Sequence, residues 1–235
     1  MTRSIFIGLV GLMAVMMLVT VGEVQAKNKD GYAVIAMIGN SGVENMQLEQ
    51  SKQILVARIG QLGKLREFRE APVEVISGAT GTTLWSGTPD DIVKGKRVKG
   101  LLGQLAKNPN MCSNLVAAFR RLNNRIRQFE VKKYKKIYVF IHAGLIHTGV
   151  PCGNLSSLPI PQLPPAKINF EKIFHRKSIA SLIFMGVNEW QEEPWNESLE
   201  ETGMYAAQHG MIFDFKGEAQ THAFLEEGFR SWIKP

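Results

Sequence analysis

Short runs of apolar residues alternate along the chain with longer stretches in which apolar residues recur every three or four positions. Runs of the first kind predict β-strands, and stretches of the second kind predict amphipathic helices. Residues 33–38 and 137–141 are apolar throughout, which is typical of strands covered by helices on both faces. The strands are predicted at 33–38, 73–77, 80–87, 137–141, 178–186 and 211–215.

The helical pattern is predicted over 46–65, about 89–106, 108–129, 197–210 and 219–233. Thr88 followed by Pro89 is a typical helix start, and Gly210 is a typical helix end. Asn110 and Ser113 are alternative caps for the third helix. Because strands and helices alternate, we predict an α/β fold: a doubly wound, mainly parallel sheet flanked by helices, in three layers.

The first 26 residues have the features of a signal peptide. Arg3 precedes an apolar run from Ile5 to Val21, and small residues at Val24 and Ala26 flank a cleavage position. Residues 27–235 would then form a single exported domain, periplasmic or secreted, with no stable membrane span. The apolar run approaches the roughly 20 residues that cross a bilayer. An uncleaved, membrane-anchored form is therefore the alternative.

The net charge of +7 favours acidic partners, which include nucleic acid, anionic lipid and acidic protein surfaces. Residues 120–136 hold eight Lys or Arg and one acidic residue. We interpret the arginines there either as a solvated helix face or as a docking patch for an acidic partner. Nucleic acid is not excluded, although aromatic residues are too sparse there for base stacking. The patch residues are Arg120, Arg121, Arg125 and Arg127.

The order of these elements resembles a von Willebrand factor A domain, over about residues 31–233. The first strand ends in x-x-Ser-Gly at 39–42, the segment 115–119 matches Leu-x-x-Ala-Phe, and the strand at 137–141 lies where the family has its central strand. The resemblance implies the same doubly wound fold. It also implies a binding face at the carboxyl edge of the sheet, where the family coordinates Mg²⁺ with aspartate, serine and threonine oxygens.

The ligand positions of that family are only partly retained in this chain. The two aspartates of the family fall on Gly39 and His142. Its two serines fall on Ser41 and Val43, and its threonine falls on Ser113. Hydroxyls without a carboxylate cannot offset the dehydration of a hard divalent cation, so we expect no tight metal site and no cofactor. Glu44 could act as a substitute ligand. Weak Mg²⁺ binding therefore stays open, and with it the alternative of a metal-dependent adhesion domain.

A second resemblance concerns Ser41 alone. The sequence Gly39-Asn40-Ser41 is similar to the Gly-Asp-Ser of SGNH hydrolases, where the serine attacks an ester with the help of a His held by an Asp. The Asp-x-x-His of that family is absent, since Asp214 and His222 are eight residues apart. An esterase is therefore the weaker alternative. The simpler role for Ser41 is to cap the helix that follows it.

Two further pairs of residues flank this edge of the sheet. In an exported chain Cys112 and Cys152 are expected to form a disulfide, which would hold the Pro-rich loop at 149–167. His142 and His147 could bind Zn²⁺ or Cu²⁺, but no third ligand is evident. We therefore expect His142 to hydrogen-bond to neighbouring backbone.

Trp190 and Trp195 are predicted to lie in a loop just past a strand, where they are either core residues or an exposed protein-binding pair. Taken together, the sequence predicts a non-catalytic, exported protein-binding module with a degenerate metal site. Its expected setting is a multi-protein assembly of the cell envelope. The predicted binding residues are Gly39, Asn40, Ser41, Ser113, His142, Trp190 and Trp195.

Overall fold

The computed structural model describes residues 31–39, 46–95, 101, 113–147, 163–205, 210–227 and 229–233. Six strands form one sheet in the order β3-β2-β1-β4-β5-β6. All neighbouring strands are parallel except β2 and β3, which are antiparallel. The strands are β1 (Tyr32–Ile38), β2 (Val73–Ser77), β3 (Thr83–Gly87), β4 (Lys136–His142), β5 (Ile179–Val187) and β6 (Ile212–Gly217).

Helices cover both faces of this sheet. The helices are α1 (Met46–Gln61), α2 (Pro89–Val93), α3 (Leu115–Val131), α4 (Phe170–Phe174), α5 (Glu189–Glu201) and α6 (Glu218–Glu227). Short 3₁₀ helices follow α1 at Leu62–Lys64 and α6 at Phe229–Trp232. The predicted α/β fold class is confirmed, and the strand order is consistent with a Rossmann-like or von Willebrand factor A-like arrangement.

The two faces of the sheet belong to separate hydrophobic cores. Alternate residues of β1 such as Ile35 and Met37 pack with α3, α4 and α5, whereas Val34 and Ala36 pack with α1, α2 and α6. Both sets are fully buried. Burial on both faces explains why the central strands are apolar without alternation.

Several helix boundaries differ from those predicted. α5 begins at Glu189 instead of 197, because Asn188 caps it by accepting a hydrogen bond from the Trp190 backbone N–H at 3.2 Å. It ends at Glu201, before the predicted stop at Gly210. The prediction of a loop around Trp190 and Trp195 is therefore wrong, since both residues lie on a helix.

The starts of α2 and α3 depend on side-chain caps. Thr88 caps α2 in a reciprocal capping box with Asp91, as predicted for this threonine. The predicted helix at 89–106 is described only in part. A turn follows Val93, and beyond this turn Leu101 is the one described residue of the predicted helix; it is helical. α3 is capped by Asn114, whose side chain accepts from the Ala117 backbone N–H at 3.0 Å. The cap is therefore Asn114 and not the predicted Ser113, whereas the alternative Asn110 lies outside the described residues.

Some predictions fall outside the described residues. These are the signal peptide at 1–26, Asn40, Ser41, Val43, Glu44, Cys112 and Cys152 with their predicted disulfide, and most of the loop at 149–167. In the part of the chain that the structure does describe, no helix is long and apolar enough to cross a membrane.

A buried carboxylate ties α3 to the sheet. Glu74, in the middle of β2, is fully buried and forms ion pairs with Arg125 and, at 3.4 Å, with Arg121. Thr83 on β3 donates a hydrogen bond to the same carboxylate at 2.8 Å. A buried carboxylate is tolerated only when charge and hydrogen bonds compensate its lost hydration. These contacts therefore fix α3 over β2.

We predict that Arg125→Met destabilises the fold, because it removes one partner of a buried carboxylate. Such losses cost about 3–5 kcal/mol for fully buried pairs, and we expect about 2 kcal/mol here because Arg125 is partly exposed and Arg121 remains. Urea unfolding measures the change. Arg66→Met, at an exposed arginine beyond the end of α1, is the matched control and should change stability by less than about 0.5 kcal/mol.

Glu74→Gln in the Arg125→Met background should recover part of the lost stability, because it removes the uncompensated charge. Equal effects of Arg125→Met and Arg66→Met would contradict a structural role for the ion pair.

Candidate functional site

The carboxyl ends of the central strands are joined by backbone hydrogen bonds. The Gly39 N–H donates to the carbonyl of His142 at 2.8 Å, and the Gly78 N–H donates to the carbonyl of Ile38 at 2.8 Å. The Ala143 N–H donates to the carbonyl of Met185 at 3.0 Å. The first residues after β1, β2 and β4 are thus held close together at the edge where ligands bind in open α/β sheets.

His142 is the last residue of β4 and is only 1% exposed. Its Nε2 lies 2.5 Å from the hydroxyl oxygen of Ser51 on α1. Burial, together with the nearby charge of Lys52, lowers the pKa of His142 to about 3. The imidazole is therefore neutral at physiological pH.

The space around the imidazole depends on a glycine in β5. Gly186 has a φ of +65°, a conformation that disfavours other residues. A Cβ at this position would lie 2.8 Å from Cε1 of His142. The Gly186 N–H donates to the Thr221 hydroxyl at 2.7 Å, and this hydroxyl donates to the carbonyl of Gly217. Thr221 of α6 thus holds in place the part of β5 that packs against the ring of His142. We call the space around this ring the histidine slot.

His147 and Ser113 meet at a second point of the same edge. They form an isolated parallel β-bridge, and Nδ1 of His147 accepts a hydrogen bond from the Leu115 backbone N–H at 3.2 Å. His147 therefore connects the loop after β4 to the first turn of α3. Among the described residues, no group of three His, Cys, Asp or Glu side chains could hold a metal ion.

The two tryptophans face in different directions. Trp190, in the first turn of α5, is 51% exposed, whereas Trp195 is fully buried. Trp195 stacks on Phe119 with ring centroids 6.0 Å apart and meets Phe170 edge-on. A separation of five residues rotates a helix by about 140°, so the two rings cannot share a face. Trp195 is a core residue, which corrects its place in the predicted binding face.

The predicted basic patch also divides into two groups. Arg120 and Arg127 are exposed, whereas Arg121 and Arg125 turn toward Glu74 and form ion pairs with it. The sequence alone does not separate them, because the partner lies on a distant strand. Two of the four arginines thus have a structural role.

Ser51 and Lys52 were not predicted as site residues, although both are almost fully buried. The position of Ser51 along α1 already indicates that its side chain is buried. Ser51 lies three residues after Leu48 and four before Leu55, so it falls on the apolar stripe that packs α1 against the sheet. A polar residue in such a stripe predicts a buried hydrogen-bonding partner, which here is His142.

The Ser51–His142 hydrogen bond is poorly suited to nucleophilic catalysis. A general base works best when its pKa lies near the operating pH, whereas the pKa of this imidazole is about 3. Both side chains are also buried. Of the other residues considered for an esterase, Asp214 pairs with Lys216 at 2.9 Å and His222 lies 3.8 Å from Glu226.

We predict that neutral His142 makes stability depend on pH. The unfolded chain takes up a proton on this residue near its ordinary pKa of 6.5, whereas the folded chain does so near 3. Its contribution is therefore complete above pH 6.5 and is lost as the pH falls toward 3. Between about pH 7.5 and pH 5, the native protein should lose about 2 kcal/mol more stability than the His142→Gln variant.

Chemical denaturation at a series of pH values tests this expectation. Ser51→Ala is the matched control: it should lower stability by about 1 kcal/mol at neutral pH and keep the pH-dependent loss, since His142 stays buried. Parallel stability curves for the native protein and His142→Gln would show that His142 does not cause the pH dependence.

No protein-family model and no curated protein matches this chain. Among solved structures, the chain is similar to the PilB minor pilin from Streptococcus sanguinis, with 10% sequence identity and a TM-score of 0.47. The match covers 86% of this chain and 61% of that chain, so this chain spans less than two thirds of the pilin's length.

Proposed function

We propose that the chain is an exported, non-catalytic protein-binding module of the von Willebrand factor A type, in which a buried histidine stands where that family has a metal-binding aspartate. The observation that carries the proposal is the hydrogen bond between His142 and Ser51, beside Lys52, at the carboxyl edge of the sheet. The export and the cell-envelope setting are supported by the signal-like pattern of residues 1–26.

The chemistry at His142 favours contact without a metal. Mg²⁺ binds through oxygen ligands, with carboxylates supplying the charge that offsets its dehydration. Here the side chain at the last ligand position is a neutral imidazole whose Nε2 is already occupied by Ser51. The positive charge of Lys52 acts on the same point and would repel a divalent cation. A partner would therefore bind this edge through shape, hydrogen bonds and apolar contact.

Trp190 is the side chain best placed to make such a contact. It lies two residues after the cap of α5, directly beyond the carboxyl end of β5, and half of it is exposed. Exposed tryptophans at the centre of an interface commonly supply a large share of the binding free energy. We include it in the binding face together with the loops that follow β1 and β4.

The test is capture of partners by the full-length, affinity-tagged chain from the envelope fraction of the cells that produce it. Trp190→Ser should reduce the recovery of a specific partner by about tenfold or more. Leu65→Ser is the matched control, because Leu65 is similarly exposed, at 43%, but follows the end of α1. Capture by this control should match that of the native chain.

The same capture should be equally efficient in EDTA and in Mg²⁺, since the proposed contact needs no metal. If EDTA abolishes capture and Mg²⁺ restores it, the chain is a metal-dependent adhesion domain instead. If Trp190→Ser and Leu65→Ser behave alike, Trp190 is not part of the binding face.

A further inference from the structure

Helix α5 carries an unusual concentration of negative charge for a chain whose net charge is +7. Its thirteen residues include six glutamates and no lysine or arginine. None of these glutamates forms an ion pair with another of the described residues. They are Glu189, Glu192, Glu193, Glu197, Glu200 and Glu201.

Part of this negative charge lines a cleft. An open cleft of about 450 Å³ lies between α5 and the edge strand β6, and its walls include Glu193, Glu197, Tyr205 and Phe215. Burial and the nearby charge of Glu189 raise the pKa of Glu192, which also lines the cleft. A cation placed there would relieve this repulsion. The aromatic walls would cover the aliphatic part of a lysine or arginine side chain.

A complementary positive surface lies on α3. Arg120 and Arg127 are two helical turns apart on the same exposed face, and Lys132 and Lys133 continue it beyond the end of the helix. None of these four side chains forms an ion pair within the described part of the chain. We call these four residues the basic surface, and we call α5 with its cleft the acidic surface.

The topology places these two surfaces in one layer. α3 and α5 pack on the same face of the sheet, and their side chains meet at Phe119 and Trp195. Each helix starts at the carboxyl edge of the sheet and precedes a strand that starts at the amino edge, so the two helices run in the same direction. A two-fold axis that runs along these helices, between two stacked copies of the layer, would place each α3 over the α5 of the second copy.

We propose that the chain forms a symmetric dimer in which the basic surface of each copy binds the acidic surface of the other. The contact occurs twice, as the symmetry of an isologous interface requires. It uses the uncompensated charges of both helices. This inference rests on observations other than those behind the proposed function, although Trp190 of the binding face lies in the first turn of the same helix.

A second copy of the chain fits these surfaces better than nucleic acid does. A polyanion that approached the basic surface would meet six glutamates in the same layer, and their repulsion would weaken its binding. A second copy presents both charges in matching positions. The two arginines that would otherwise strengthen a nucleic-acid site, Arg121 and Arg125, are instead paired with Glu74.

The test is sedimentation velocity of the purified full-length chain over a range of concentrations. We expect a dimer at about 0.05 M NaCl and a dissociation constant at least about tenfold higher at about 0.5 M NaCl, because salt screens the opposed charges. Reversing the basic surface with Arg120→Glu and Arg127→Glu should give a monomer. Reversing the acidic surface with Glu193→Lys and Glu197→Lys should do the same.

Charge exchange makes the test specific to this pairing. An equimolar mixture of the two reversed variants should form a heterodimer, and a chain that carries all four changes should form a homodimer again. Glu226→Lys with Glu227→Lys is the matched control, since these exposed glutamates lie on α6, on the other face of the sheet. That variant should remain dimeric.

Two outcomes would overturn the inference. The first is a native chain that is monomeric at low salt over the whole concentration range. The second is a dimer that persists in either reversed variant, or that the mixture of the two fails to restore. Circular dichroism of each variant verifies that it is folded, so that loss of the dimer is not caused by unfolding.

Discussion

Burial of the sheet on both faces is the constraint on which the rest of this structure depends. The central strands β1 and β4 contribute residues to both hydrophobic cores, so almost every side chain between their ends must be apolar. Polar groups can enter this layer only where a partner compensates for lost hydration. Two buried polar residues show different solutions. Glu74 forms ion pairs with two arginines, whereas the imidazole of His142 forms a hydrogen bond with Ser51.

The sheet itself could be predicted from the sequence with few errors, because two-sided burial leaves a direct mark as continuous apolar runs. All six predicted strands are present within a few residues of their predicted bounds. Helix α5 was harder to predict from the sequence, because Pro194 and the polar residues around it are typical of a loop. The helix includes Pro194, and Trp195 and Leu199 anchor it in the core. Tertiary packing here outweighs local propensity.

The candidate site was only partly predictable for a related reason. Spacing along the chain placed His142 correctly at the carboxyl edge, but its partner, Ser51, is distant in sequence and lies on another element. The same holds for Arg121 and Arg125, whose partner Glu74 lies on β2. Composition therefore overstated the free positive charge of α3. Sequence patterns indicate which residues are buried. Ion pairs between distant elements then decide which charged side chains remain available to bind a partner.

The slot around His142 also limits which side chain can end β4. A shorter side chain at position 142, such as aspartate, would not fill the space of the ring that Gly186 accommodates, and it would leave a gap beneath β5. The hydrogen bond between Nε2 and Ser51 would be lost as well. The last position of β4 is thus fitted to α1 and β5 together, so a different side chain there requires compensating changes on both of these elements.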